Sequence, residues 1–144
     1  MKVFIVAMLL LSLVSASVQL SNLKTQAGVN CENTGNIMIN EFVVEPWPPV
    51  ASTNSAITIE VVINKPGIGV GTITYGTLNK LQQWSYQYQV INEAFPEYSI
   101  QTFQYVIYWP SEPGNYILQT TIGGLNKPPS INACWVISYT LQKN

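Results

Sequence analysis

The clearest pattern in the chain lies at residues 57–64. Ile57, Ile59, Val61 and Ile63 alternate there with Thr58, Glu60, Val62 and Asn64. Period-two spacing predicts a β-strand with one strongly apolar face. The same texture recurs. Ile37 and Ile39 alternate with Met38 and Asn40, and Phe42, Val43 and Val44 then run together. Pro46-Trp47-Pro48-Pro49 ends that strand, because proline has no N–H to give to a ladder. Residues 51–55 read as a polar turn, and Lys65-Pro66-Gly67 turns the chain again. Residues 68–75 form the next strand, with Gly69 and Gly71 marking a bulge or a close approach. Trp84, Tyr86, Tyr88 and Val90 share one face of a further strand, with Gln83, Ser85, Gln87 and Gln89 on the other. After a break at Phe95-Pro96-Glu97, Phe103, Tyr105, Ile107 and Trp109 line one side of residues 101–109. Residues 110–114 make a tight connection, 116–122 a strand, 123–130 a Gly- and Pro-containing loop, and 133–141 the last strand. Residues 18–30, polar and without period, read as a leader or an edge strand. Seven or eight short strands with regular turn signals and no helical spacing past the N-terminus predict an all-β sandwich of two antiparallel sheets.

The N-terminus has a different character. Lys2 precedes an apolar run from Val3 to Val14, followed by Ser15, Ala16 and Ser17. This is the layout of a secretory signal peptide, residues 1–16, cleaved after Ala16 with Val14 and Ala16 at the small-residue positions. The run is too short for a membrane span, which needs about 20 residues. The remainder, residues 17–144, reads as one soluble domain, secreted or held in the lumen of an endosomal or lysosomal type of compartment.

Composition then removes whole classes of chemistry. Only 9% of residues are charged, the formal net charge is −1, and there is no His. Every cation is Lys and every carboxylate side chain is Glu. Without His there is no Ser-His or Cys-His nucleophile pair, and the commonest zinc sites go with it. Without Arg there is no bidentate clamp for phosphate. Nothing could neutralise a nucleic-acid backbone. Glu93 and Glu97 are the nearest thing to a glycosidase pair, but glutamates beside a proline turn read as solvated surface groups. No catalytic residue, metal site or cofactor is expected. Cys31 and Cys134, an even pair at the two ends of the domain, read as one disulfide in an oxidising compartment.

Two stretches carry a family resemblance. One is Glu45-Pro46-Trp47-Pro48-Pro49, followed by a polar turn and the 57–63 strand. The other is Ile107-Tyr108-Trp109-Pro110-Ser111-Glu112-Pro113-Gly114-Asn115-Tyr116, with Ala133-Cys134-Trp135-Val136-Ile137-Ser138-Tyr139 after it. In order and spacing, from about Cys31 to Leu141, they resemble the ML lipid-recognition family, which includes the Niemann-Pick type C cholesterol-transfer protein and the group 2 mite allergens. The resemblance implies an immunoglobulin-like sandwich with an apolar cavity between its sheets, and a Cys31–Cys134 bridge from the start of the domain to its last strand. Many members have two further disulfides that this chain lacks, and Gln82 to Tyr98 replaces their Cys-rich middle region.

A lipid site needs a concave apolar surface with a few polar groups at its mouth. The expected walls are Ile57, Ile59, Val61 and Ile63, then Phe103, Tyr105, Ile107 and Trp109, then Trp135, Ile137 and Tyr139. The expected mouth is Tyr108, Trp109, Pro110 and Tyr116. The partner implied is a sterol or phospholipid, held by a monomer that touches membranes, or a lipid-accepting membrane protein, only transiently. The alternative is a carbohydrate-binding or adhesive sandwich with Trp84, Tyr86 and Tyr88 as its platform. That alternative requires the aromatic face to be exposed, whereas the lipid reading expects much of it buried. Trp47, in its Pro-rich turn, is expected to cover one end of the sandwich.

Overall fold

In a computed structural model of the chain, the structure describes residues 25–143; the expected signal peptide lies outside them. Among the described residues the two expected antiparallel sheets are built from nine strands, against the seven or eight that the alternation predicts. They are β1 (Thr25–Gln26), β2 (Val29–Glu32), β3 (Ile37–Glu45), β4 (Asn54–Ile63), β5 (Gly69–Leu78), β6 (Trp84–Ala94), β7 (Ile100–Tyr108), β8 (Gly114–Gly123) and β9 (Ile131–Leu141). The first sheet has the order β1-β3-β4-β7 and the second β2-β9-β8-β5-β6. The leader segment therefore contributes an edge strand to each sheet. The chain passes from one to the other at Gly28, whose φ is +85°. A Cβ there would run into the Val136 carbonyl and the side chains of Ile137 and Trp135. Only glycine supplies both the left-handed turn and the close approach.

The 57–63 alternation sits in β4, at the centre of the first sheet, and Ile57, Ile59, Val61 and Ile63 are fully buried. They share one core with Ile73 and Tyr75 of β5, Leu118 and Ile122 of β8, and Trp135 and Ile137 of β9. The broken phase of residues 37–44 has a structural cause. The β3–β4 register slips between Ile39 and Glu41, so one extra residue enters the strand. Ile37 and Ile39 before the bulge, and Phe42 and Val44 after it, all turn inward. Across the sandwich Phe42 lies parallel to Trp135, ring centres 5.6 Å apart, and Tyr75 lies parallel to Tyr105 at 4.6 Å. The Trp135 indole N–H donates to the Ala27 carbonyl at 2.7 Å.

Cys31 and Cys134 are bonded, with Cα atoms 5.2 Å apart and a sequence separation of 103. The bond joins β2 to β9, neighbours in the second sheet. It fixes that sheet's edge and does not tie one sheet to the other.

Candidate functional site

The structure gathers the expected wall residues into one interior. Ile57, Ile59, Val61, Ile63, Phe103, Ile107, Trp109, Trp135, Ile137 and Tyr139 are all buried there with Tyr116, and Tyr105 packs half-buried against them. Their side chains meet in the middle, so the space expected for a ligand is occupied by the walls themselves. Two of the expected mouth residues, adjacent in sequence, lie on opposite sides of the strand end. Tyr108 is 65% exposed, because it follows the inward Ile107 and period two turns it outward. Trp109 lies deep. Its indole N–H donates to Ser55 Oγ at 2.8 Å, and that hydroxyl donates to the Pro46 carbonyl at 2.8 Å. This chain of bonds seats the Pro-rich turn against the end of the core, where Trp47 also packs.

Pro110 and Tyr116 do border an opening. A cleft of about 430 Å³ lies between the β5–β6 and β7–β8 turns, lined by Thr77, Lys80, Leu81, Ser85, Pro110, Glu112 and Tyr116 among others. Behind it Tyr116 stacks on Tyr139 at 5.4 Å, and Trp109 meets Tyr139 edge-on at 5.0 Å. The Tyr116 hydroxyl donates to the Glu112 carbonyl at 2.7 Å. Thr120 Oγ1 is buried without a hydrogen-bond partner, whereas the buried Tyr139 hydroxyl has the Thr77 side chain as its one polar neighbour, outside good hydrogen-bond geometry. Buried hydroxyls without partners are uncommon in native proteins. Burial pushes the Tyr139 phenol above its ordinary range, with Thr77 opposing the shift and Tyr116 adding to it. Tyr75 is raised by burial and then by Tyr105, and Tyr116 by burial and then by Glu112. All three remain neutral at physiological pH, able to donate as well as accept.

The aromatic face of β6 overturns an expectation. Trp84, Tyr86 and Tyr88 are not buried; they stand 42%, 52% and 59% exposed on the outside of the second sheet. The hairpin register sets this. Ile73 pairs with Gln89 and Tyr75 with Gln87, so the glutamines share the inner side. Since β6 and β7 are edge strands of different sheets, the glutamines face the free edge of β7. The Tyr108 N–H donates to Gln87 Oε1 at 3.0 Å, and Gln87 Nε2 donates to the Tyr108 carbonyl at 3.2 Å. Gln89 Nε2 donates to the Gln104 carbonyl at 2.8 Å, and Gln89 Oε1 accepts from the Tyr75 hydroxyl at 3.0 Å. Side-chain amides thus stand in for a missing strand and close the seam between the sheets. Gln87→Ala is expected to speed hydrogen exchange at the Tyr108 amide about tenfold, as loss of one such bond implies. Exchange read by NMR, with the β4–β7 amides as internal reference, checks this.

Sequence reasoning missed the two glutamines as structural groups. Their signal was present in the regular alternation with aromatics, but only the register shows which of the two faces turns inward. Glu93 and Glu97 are exposed. Among the described residues, no group of three His, Cys, Asp or Glu side chains could hold a metal ion.

No protein-family model matches the sequence, and no curated protein does. Solved structures match the fold. The C-terminal domain of wzt superposes with a TM-score of 0.61 at 11% identity, over 84% of this chain and 79% of that one. A Niemann-Pick type C2 protein from Japanese carpenter ant gives 0.53 at 5% identity, over 80% of this chain and 98% of that one. The alkylpurine DNA glycosylase AlkC of Pseudomonas fluorescens, bound to DNA containing an abasic site analog, gives 0.52 at 10% identity, over 77% of this chain and 32% of that one. The likeness is one of fold. It reaches across nearly the whole of the ant protein and only a third of the glycosylase.

Proposed function

We propose that this protein binds a lipid of the sterol or phospholipid class between its two sheets, in the manner of the ML family, within a secretory or lumenal compartment. The observation that carries this reading is the inner surface. It is made mostly of aliphatic and aromatic side chains, with no charged group buried among the described residues, and it contains the Thr120 hydroxyl, buried without a partner, and the Tyr139 hydroxyl, which has only the Thr77 side chain as a polar neighbour. An amphiphile offers both an apolar body for such a lining and a polar atom for those hydroxyls. Burial of the body is favourable by about 25 cal/mol per Å² and requires no charge. The fold shared with the ant Niemann-Pick type C2 protein supports the reading, as does the resemblance that runs from about Cys31 to Leu141. The disulfide supports an oxidising compartment.

Loading requires the walls to part. The sheets are held together by side-chain packing, by the Gln87 and Gln89 bonds and by the connections between strands, so separation along the β6–β7 seam breaks no ladder within either sheet. The cleft bordered by Pro110 and Tyr116 opens onto the same end of the core. Membranes are the source and destination of the lipid; no catalytic step is involved.

Native mass spectrometry of protein secreted from a eukaryotic host and purified without detergent tests the reading, with organic extraction of bound material. A sterol or phospholipid at one copy per chain is the expected result. A protein that is empty, and that also fails to take up fluorescent sterol and fatty-acid probes, would remove it.

A further inference from the structure

We propose that the outer face of the second sheet is a separate binding site for a neutral polysaccharide chain, with the β6 aromatics as its platform. This face lies on the far side of the sheet from the interior, and the inference does not rest on lipid binding.

Three aromatic side chains follow one another there. Trp84 and Tyr86 have ring centres 6.1 Å apart and planes within 7°, and Tyr86 and Tyr88 are 6.2 Å apart within 26°. About half of each remains open to solvent. A contiguous exposed apolar strip on an ordered strand is unusual for a monomeric soluble protein and marks a contact surface. The neighbouring strand is shaped for these rings. Gly76 sits mid-strand opposite Tyr86, where glycine weakens a sheet, and its φ is not left-handed. A Cβ at this position would come within 3.1 Å of Tyr86 Cε1 and 3.2 Å of Trp84 Cε3. The glycine makes room for the two rings to settle over β5.

The rest of the face sets the chemistry of the occupant. Thr74 pairs with Tyr88 on one side and Thr121 on the other, and Gly76 pairs with Gln119. The floor beside Tyr86 and Tyr88 is therefore hydroxyl, amide and bare backbone, with Leu78 and Ile117 beside Trp84 and Val90 beyond Tyr88 as its apolar margins. A cleft of about 350 Å³ continues it at one end and another of about 370 Å³ at the other. Neither is lined by a carboxylate, and each has a single lysine, Lys127 or Lys80. Two lysines at opposite ends cannot follow a phosphate backbone. An acyl chain has no use for a floor of hydroxyls and amides. A neutral glycan matches the rings and the polar floor together: the C–H faces of its pyranose rings lie on the aromatics, and its hydroxyls exchange hydrogen bonds with Thr and Gln. The ring-to-ring step is about the length of one pyranose unit, so successive sugars meet successive rings.

Affinity electrophoresis through gels containing hydroxyethyl cellulose, laminarin or galactomannan tests the site. Isothermal titration with the matching hexasaccharide supplies the affinity. The delipidated full domain is expected to be retarded in at least one gel, equally at low and high salt. Tyr86→Ala is expected to weaken binding about tenfold. The combined Trp84→Ala/Tyr86→Ala/Tyr88→Ala variant is expected to abolish it. Thr74→Val, which leaves the rings in place, is expected to weaken it by a smaller factor. Circular dichroism and the urea unfolding midpoint, unchanged in these surface variants, show that the fold is retained. Absence of retardation in all three gels, binding that vanishes at high salt, or wild-type binding by the triple variant would overturn the proposal. So would capture of phosphatidylcholine vesicles that depends on Trp84, Tyr86 and Tyr88, without glycan binding, which would make the face a lipid surface instead.

Discussion

Phe42→Ala is expected to lower the unfolding free energy by about 3–5 kcal/mol. Phe42 is fully buried in β3, and its ring faces Trp135 of the opposite sheet in near-parallel planes. Truncation removes apolar contact from both sheets at once. The void cannot collapse readily, because the backbones on either side are held by ladders to β4 and to β8. Trp135 is itself pinned through its indole N–H to Ala27, so it cannot swing in to fill the gap. Phe42→Leu keeps most of the volume and is expected to cost less than about 2 kcal/mol. Urea unfolding followed by tryptophan fluorescence reads the difference. The midpoint should fall while the slope stays the same, since a cavity changes stability without changing the surface exposed on unfolding.

The paired replacement Cys31→Ser with Cys134→Ser is expected to cost about 2–5 kcal/mol. The bond closes a loop of 103 residues, nearly the whole folded domain, so its removal frees much of the unfolded chain. A local effect adds to this. β2 is only four residues long and exposed along its length. Its ladder to β9 is already interrupted by a register shift between Asn30 and Glu32. Without the bond, little remains to keep it on the sheet. Calorimetry of the double variant against the oxidised protein measures the stability loss. Hydrogen exchange at Val29 and Val136 separates detachment of the edge strand from global destabilisation.

Most of the architecture was legible wherever one face of a strand is strictly apolar. Ile57 to Ile63 identified the central strand of the first sheet, and the Phe103 to Trp109 face identified its neighbour. The phase break before Phe42 was visible as a run of three apolar residues, and the structure explains it as a bulge. β6 was harder. Aromatics alternating with Gln, Ser and Gln give the correct period but leave the direction open, because both sets of side chains have a place to go. Burying the aromatics is the ordinary expectation. The decision came from distant residues, since the free edge of β7 offers backbone groups that glutamine amides can pair and aromatic rings cannot. Tyr108, by contrast, follows the plain alternation. Its neighbours Ile107 and Trp109 are inside, and it lies outside because of strand alternation. The interior was legible as a set of residues, while their mutual packing depends on contacts across two sheets that periodicity does not encode.

The central claim, that a lipid is held between the sheets, is tested most directly by photo-crosslinking. A photoreactive sterol and a photoreactive fatty acid would be loaded onto delipidated protein, irradiated, and the attachment points mapped by peptide mass spectrometry. Lipid binding between the sheets predicts adducts on the inner face, at residues such as Ile59, Ile107, Thr120 and Tyr139, at one per chain and competed by unlabelled lipid. Adducts confined to Trp84, Tyr86 and Tyr88, or no competed labelling at all, would contradict it.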